Sequence, residues 1–135
     1  MTRRIVWPYH ILMVIYVAAV AWLCFSRFEA FPNIGRTIFG MPTDKVVHFC
    51  MFFPFPFLAS LCFRSTGKTP WRAVWRTVGI FIAGCLYAAA TEIIQDKLGY
   101  RCGDRADFLS DALALAISSL VTLAIISVRN KKLKA

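Results

Sequence analysis

Asp44 and His48 stand four residues apart at the head of one apolar run. Glu92 and Gln95 stand three apart near the end of another, and Asp104, Asp107 and Asp111 lead into a last one at intervals of three and four. On helices each of these sets shares a face. Histidine beside carboxylates suits three kinds of chemistry: acid–base transfer, recognition of a polar headgroup, and coordination of a divalent cation. Lys45, Arg101 and Arg105 add fixed positive charge beside the same carboxylates. Ser110 lies between Asp107 and Asp111 without an evident partner base, and no nucleophile motif accompanies the set.

The elements that must hold these residues are membrane helices. The chain has 135 residues, 59% of them hydrophobic and 17% charged, which is greasier than an ordinary soluble domain. The apolar residues fall in four blocks, about 5–25, 46–63, 77–94 and 108–128. Each is close to the length a helix needs to cross about 30 Å of hydrocarbon. Lipid offers the backbone no hydrogen-bond partners, so such a block is a helix. The expected fold is all-α: a single polytopic membrane domain of four transmembrane helices.

Orientation follows from the basic residues. Arg3, Arg4, Arg64, Lys68, Arg72, Arg76, Arg129, Lys131, Lys132 and Lys134 fall before the first block, between the second and third, and after the fourth. All seven acids fall on the other side, with Arg27, Arg36, Lys45, Lys97, Arg101 and Arg105. The positive-inside rule places the purely basic side in the cytoplasm, with both termini cytoplasmic. Topology and anionic headgroups then explain the net charge of +9, and nucleic acid is not expected as a partner. Ala19-Val20-Ala21 resembles a signal cleavage site, but the apolar run is long and continues through Phe25, so an uncleaved first helix is expected.

The topology brings every carboxylate of the last three helices to one outer layer. Glu92 sits roughly 7 Å below the interface at about 1.5 Å of rise per residue. Ionisable groups at that depth face the bundle interior, pair with partners and mark function. Several carboxylates together repel unless cations or protons intervene.

Other features read as structure. Pro54 and Pro56 should kink or open the second helix, as packing or as a gap for a lipid chain beside Phe52, Phe53, Phe55 and Phe57. Thr43 or Asp44 is the expected N-cap of that helix, and Asp107 is a candidate N-cap of the last. The segment Ser26–Pro42 is expected to cap the outer face. Trp71 and Trp75, like Arg72 and Arg76, share a helix face and suit a headgroup anchor. Of the five cysteines, Cys24, Cys50, Cys62 and Cys85 read as small apolar filler, and a disulfide through Cys102 stays open.

Taken in order, Asp44-Lys45-x-x-His48-Phe49, Glu92-x-x-Gln95 and Arg101-x-x-Asp104-x-x-Asp107-x-x-x-Asp111 resemble the signature of VanZ-like membrane proteins. The resemblance covers about 44–128, with the first helix as the usual leading span. Asp111 stands where the family pattern commonly has Asn, and Ala114 where it has Gly; the added carboxylate favours coordination of a cation. The resemblance implies a multi-pass protein of the bacterial cytoplasmic membrane and a cell-envelope role. It also implies relatives associated with reduced susceptibility to teicoplanin, a glycopeptide with a lipid tail.

Three functional readings follow. In the leading one the protein is not an enzyme. It binds or shields a lipid-linked envelope precursor or an amphiphilic ligand such as a lipidated glycopeptide, through Asp44, Lys45, His48, Glu92, Gln95, Arg101, Asp104, Asp107 and Asp111. Lys45, His48 and Arg101 would meet the headgroup, and Glu92, Asp107 and Asp111 would orient them. In the second, His48, Glu92 and Asp107 catalyse hydrolysis or transfer of a headgroup. In the third, the polar layer only packs helices within an envelope complex. Membrane lipids are partners in all three. No cofactor is expected, apart from a divalent cation that His48, Glu92, Asp107 and Asp111 could hold.

Overall fold

A computed structural model describes residues 6–26, 37–38, 40–63, 69–99 and 105–132. The elements are α1 (Trp7–Phe25), β1 (Thr37–Ile38), β2 (Met41–Pro42), α2 (Thr43–Phe52), α3 (Phe55–Cys62), α4 (Pro70–Leu98) and α5 (Arg105–Lys132). Among the described residues, four spans are long and apolar enough to cross a membrane: α1, α2 with α3, α4, and α5. Trp7, Trp22, Leu86, Leu109 and Leu120 are among the large apolar side chains left exposed. An apolar exterior of this kind suits lipid, where outward-facing grease carries no penalty.

The second span is interrupted where its prolines predict. α2 ends at Phe52 and α3 begins at Phe55. Pro54 and Pro56 have no N–H to give the preceding turn. The Tyr16 hydroxyl of α1 donates to the Met51 carbonyl beside this interruption. Phe53 packs between Phe49 and Phe57, stacked on the first and tilted to the second, with ring centroids 5.8 Å from each.

α4 is longer than its apolar block, at 29 residues, and α5 runs to 28. α4 starts seven residues early because Pro70 takes the first helical position, where its missing N–H costs nothing. The helix therefore carries Trp71, Arg72, Trp75 and Arg76 beyond the apolar core. Trp71 and Trp75 do share a face and meet edge to face, with centroids 5.5 Å apart. Arg76 Nη1 donates to the Phe63 carbonyl at 2.7 Å, closing the end of α3. At its far end α4 stops on Gly99, whose φ of 72° is left-handed.

α4 and α5 pack through small residues. A Cβ on Gly84 would lie 2.7 Å from Leu115 Cδ2, so glycine lets these helices approach there. Ala88, Ala114, Leu115 and Ser118 are fully buried along the same seam. Ser118 and Thr122 return their hydroxyls to the carbonyls of Ala114 and Ser118, both at 2.7 Å. That satisfies them without a partner helix.

Two expectations about helix starts are corrected. Pro42, not Thr43 or Asp44, occupies the cap position of α2, with φ −55° and ψ 130°. Proline's fixed φ suits the extended residue that enters the helix. Asp107 lies inside the first turn of α5 rather than at its cap. The segment before α2 contains a hairpin that the sequence reading did not anticipate: β1 pairs antiparallel with β2, and Gly40 has a φ of 79° in its turn. The rest of that segment, 27–36 and 39, lies outside the described residues, as does Cys102. Cys50, Cys62 and Cys85 are free thiols.

Candidate functional site

Four helix ends meet at one end of the bundle: the first turns of α2 and α5, and the last turns of α1 and α4. Helix N-termini favour nearby negative charge. Asp44 and Asp107 lie in the first turns of α2 and α5. From there the side chains converge on the axis between α2, α4 and α5.

His48 is the centre. It is 1% exposed, and its Nδ1 lies 3.2 and 3.3 Å from the two oxygens of Asp111. Glu92 Oε1 lies 3.8 Å from the same nitrogen. With the proton on Nδ1, the imidazole donates to Asp111 and stands between two carboxylates from different helices. Asp111 is fully buried. The second ring nitrogen, Nε2, is buried with no hydrogen-bond partner among the described residues.

A second pair flanks the first. Lys45 Nζ donates to Asp107 Oδ1 at 3.2 Å, with the lysine partly exposed and the aspartate buried. Ser110, between the two aspartates, donates to the Lys45 backbone carbonyl at 2.8 Å. Its hydroxyl ties α5 to α2. Asp44, His48 and Asp107 form one group whose ligand-type atoms lie within 4.8 Å of one another, and His48, Glu92 and Asp111 form another. Both groups have a donor set that a divalent cation accepts.

The structure thus brings together Asp44, Lys45, His48, Glu92, Asp107 and Asp111 from segments as far apart as the second and fourth spans. Gln95 is placed differently. Its Nε2 donates to the Cys24 carbonyl at 2.7 Å, which serves one of the open carbonyls in the last turn of α1. It is an anchor for α1 rather than a member of the cluster. Arg101 and Asp104 lie outside the described residues.

Glu92 also faces a second space. A cleft of about 620 Å³ between α4 and α5 is lined by Ala89, Glu92, Ile93, Arg105, Phe108 and Leu109, among others. One wall is apolar, and Glu92, Asp96 and Arg105 mark its polar part. Sequence reasoning noted Arg105 only as an available cation; its place four residues before Leu109 on the same helix was the signal that it shares this face.

Ties from the other helices to α1 were missed as well. Tyr87 donates to the Val17 carbonyl at 2.7 Å, and Cys62 Sγ to the Tyr9 carbonyl at 3.2 Å. A tyrosine inside an apolar span needs an acceptor for its hydroxyl, so Tyr16 and Tyr87 were legible as donors, though not their targets. No family model matches the chain, no curated protein matches its sequence, and no solved structure matches its fold.

Proposed function

We propose that this is a VanZ-like protein of the bacterial cytoplasmic membrane, non-enzymatic, that holds the polar head of an amphiphilic or lipid-linked envelope ligand. In this reading both termini are cytoplasmic and the His48 cluster lies at the outer face. The one-sided distribution of Lys and Arg supports that orientation.

The observation that carries the reading is the cleft between α4 and α5. Ile93, Phe108 and Leu109 suit an acyl chain, while Arg105 with Glu92 and Asp96 suits a head that carries both charged and polar groups, and Glu92 joins the cleft to the buried cluster. A ligand with a tail and a charged head matches both parts, because apolar area gives binding strength and a few placed polar groups give orientation. Lys45, His48 and Arg101 serve as headgroup contacts, and Glu92, Asp107 and Asp111 hold them in place.

The test is drug susceptibility in a sensitive Gram-positive host producing wild type, Arg105→Ala or Glu92→Gln, with membrane abundance measured for each. Wild type is expected to protect against teicoplanin more than against vancomycin, which lacks the lipid tail. The two variants are expected to persist in the membrane and lose that protection. Wild type that protects against neither drug, or variants that protect as well as wild type at equal abundance, would sink the proposal.

A further inference from the structure

We infer that the groove between α1, α3 and α4 seats one acyl chain of an anionic phospholipid, taken from the surrounding bilayer as a packing element of the bundle. The groove lies at the end away from His48. The inference does not depend on which amphiphile the α4–α5 cleft accepts.

Shape makes the first argument. The groove has a volume of about 550 Å³, inside the range of roughly 300–1,000 Å³ common to ligand-holding clefts. Phe55 to Phe63 on α3 and Arg76 to Ala83 on α4 bound it, so it runs about 10–12 Å along the helices at about 1.5 Å of rise per residue. A trough of that form suits a flexible chain. Gly79 lines it, and a Cβ built there would meet nothing within 4 Å. Met13 and Val14 of α1 make another wall. Of the four spans, α1 has the smallest buried share, 11%. In lipid, a gap beside so lightly covered a helix fills with hydrocarbon, because an unfilled one loses its dispersion contacts.

Charge selects the lipid. His10, Phe63 and Arg76 mark one end of the groove, where Cys62 is tied to the Tyr9 carbonyl and Arg76 to the Phe63 carbonyl. Apart from His10 and Arg76, the lining residues among those described are apolar or glycine. The groove therefore has a polar mouth and an apolar floor, the order of a headgroup and its chain. Arg76 keeps its charge when it donates to a carbonyl, and Arg72 stands one turn back on the same face. α1 and α3 contain no acid, and α4 contains none before Glu92. Basic recesses between membrane helices hold anionic heads. Trp71 and Trp75 are exposed on the same turns, and such amphipathic rings settle at headgroup depth. The mouth thus opens at the level of the phosphates, whichever leaflet it faces.

The experiment uses the full chain in detergent, stripped of lipid and titrated with phosphatidylglycerol or phosphatidylcholine of identical chains. Native mass spectrometry counts the lipids on each chain, and thermal unfolding reads their effect. Wild type is expected to hold one phosphatidylglycerol, to prefer it over phosphatidylcholine by about tenfold or more, and to unfold at a higher temperature with it. Gly79→Leu fills the groove and should weaken that binding by about tenfold or more. Leucine is the better helix former, so the helix itself is not weakened. Arg76→Gln should keep a lipid but lower the preference by about fivefold. Arg105→Ala, in the other cleft, should change neither.

Equal occupancy by the two lipids in wild type, or unchanged binding in Gly79→Leu, would overturn the inference. So would binding lost in Arg105→Ala and kept in Gly79→Leu, which would put the lipid in the α4–α5 cleft. Dimers of the stripped chain that vanish in Gly79→Leu would overturn it too, by showing that a second copy covers the groove. If Arg76→Gln fails to fold, the head preference of wild type and the Gly79→Leu result decide the matter. Drug protection plays no part in these readouts, so failure here is separable from failure of the proposed function.

Discussion

The two ends of this bundle are built on different rules. At the end where α2 and α5 begin, contacts run between ionisable side chains: His48 to Asp111, His48 to Glu92, Lys45 to Asp107. At the other end α1, α3 and α4 enclose an apolar groove of about 550 Å³, lined by Met13, Phe55, Phe63 and Ile80 among others. Polar contacts there are single bonds from a side chain to a backbone carbonyl, as Cys62 makes to Tyr9 and Arg76 to Phe63. Ties of the second kind, to a backbone carbonyl, suffice to seat helices. Burying paired charges is a far costlier way to do so, with a desolvation penalty of several kcal/mol per ion. The charged end is therefore where a role beyond packing is to be sought.

The sharpest way to break this contrast is at Asp111. Asp111→Leu removes the main Nδ1 partner of His48 and leaves the ring beside Glu92 alone. It is expected to lower stability by about 3–5 kcal/mol, the range for breaking a buried pair. Thermal unfolding in detergent measures it, and a loss no larger than that of a neutral tie would put the two ends on the same footing. A double cycle adding His48→Leu should recover part of the loss, because the two positions share one interaction.

Gly84→Val tests the seam between the ends. Its new Cβ meets Leu115, and overpacking of this sort costs about 1–3 kcal/mol. Both ends should loosen together, which proteolysis of the purified protein would detect; loosening at one end only would mean that they fold separately.

The smallest expected effect is at a neutral tie to the middle of α1. Tyr87→Phe deletes one donor to the Val17 carbonyl, worth about 0.5–1.5 kcal/mol. Its unfolding midpoint should fall only slightly. A fall matching that of Asp111→Leu would show that the neutral ties bear as much as the charged ones.

The four spans and the polar layer could be read from the chain because both depend on local facts. Apolar length specifies a helix in lipid, and the spacing of Asp44 with His48, or of Asp107 with Asp111, puts each pair on one face. The helix ends were less legible. Hydropathy registers only the part of α4 inside the membrane, so the turns from Pro70 to Arg76 escaped it, although Pro70 was a start signal. The hairpin around Gly40 is too short for periodicity to register. Gln95 shows a further limit. Its spacing from Glu92 was read correctly, but its partner is a backbone carbonyl on α1, and nothing in the residue types names a backbone atom some seventy positions away.

That last contact belongs to a set. Tyr87, Gln95 and Cys62 reach α1 at the carbonyls of Val17, Cys24 and Tyr9. A carbonyl is supplied by every amino acid, so these three ties ask α1 to be a helix but ask little of its side chains. Evolutionary drift should accordingly be lopsided: apart from Tyr16, which donates to Met51, and the buried Val20 and Cys24, the first span is free to exchange one apolar residue for another over long times. The residues that hold it, which lie in later parts of the chain, carry the constraint on its behalf.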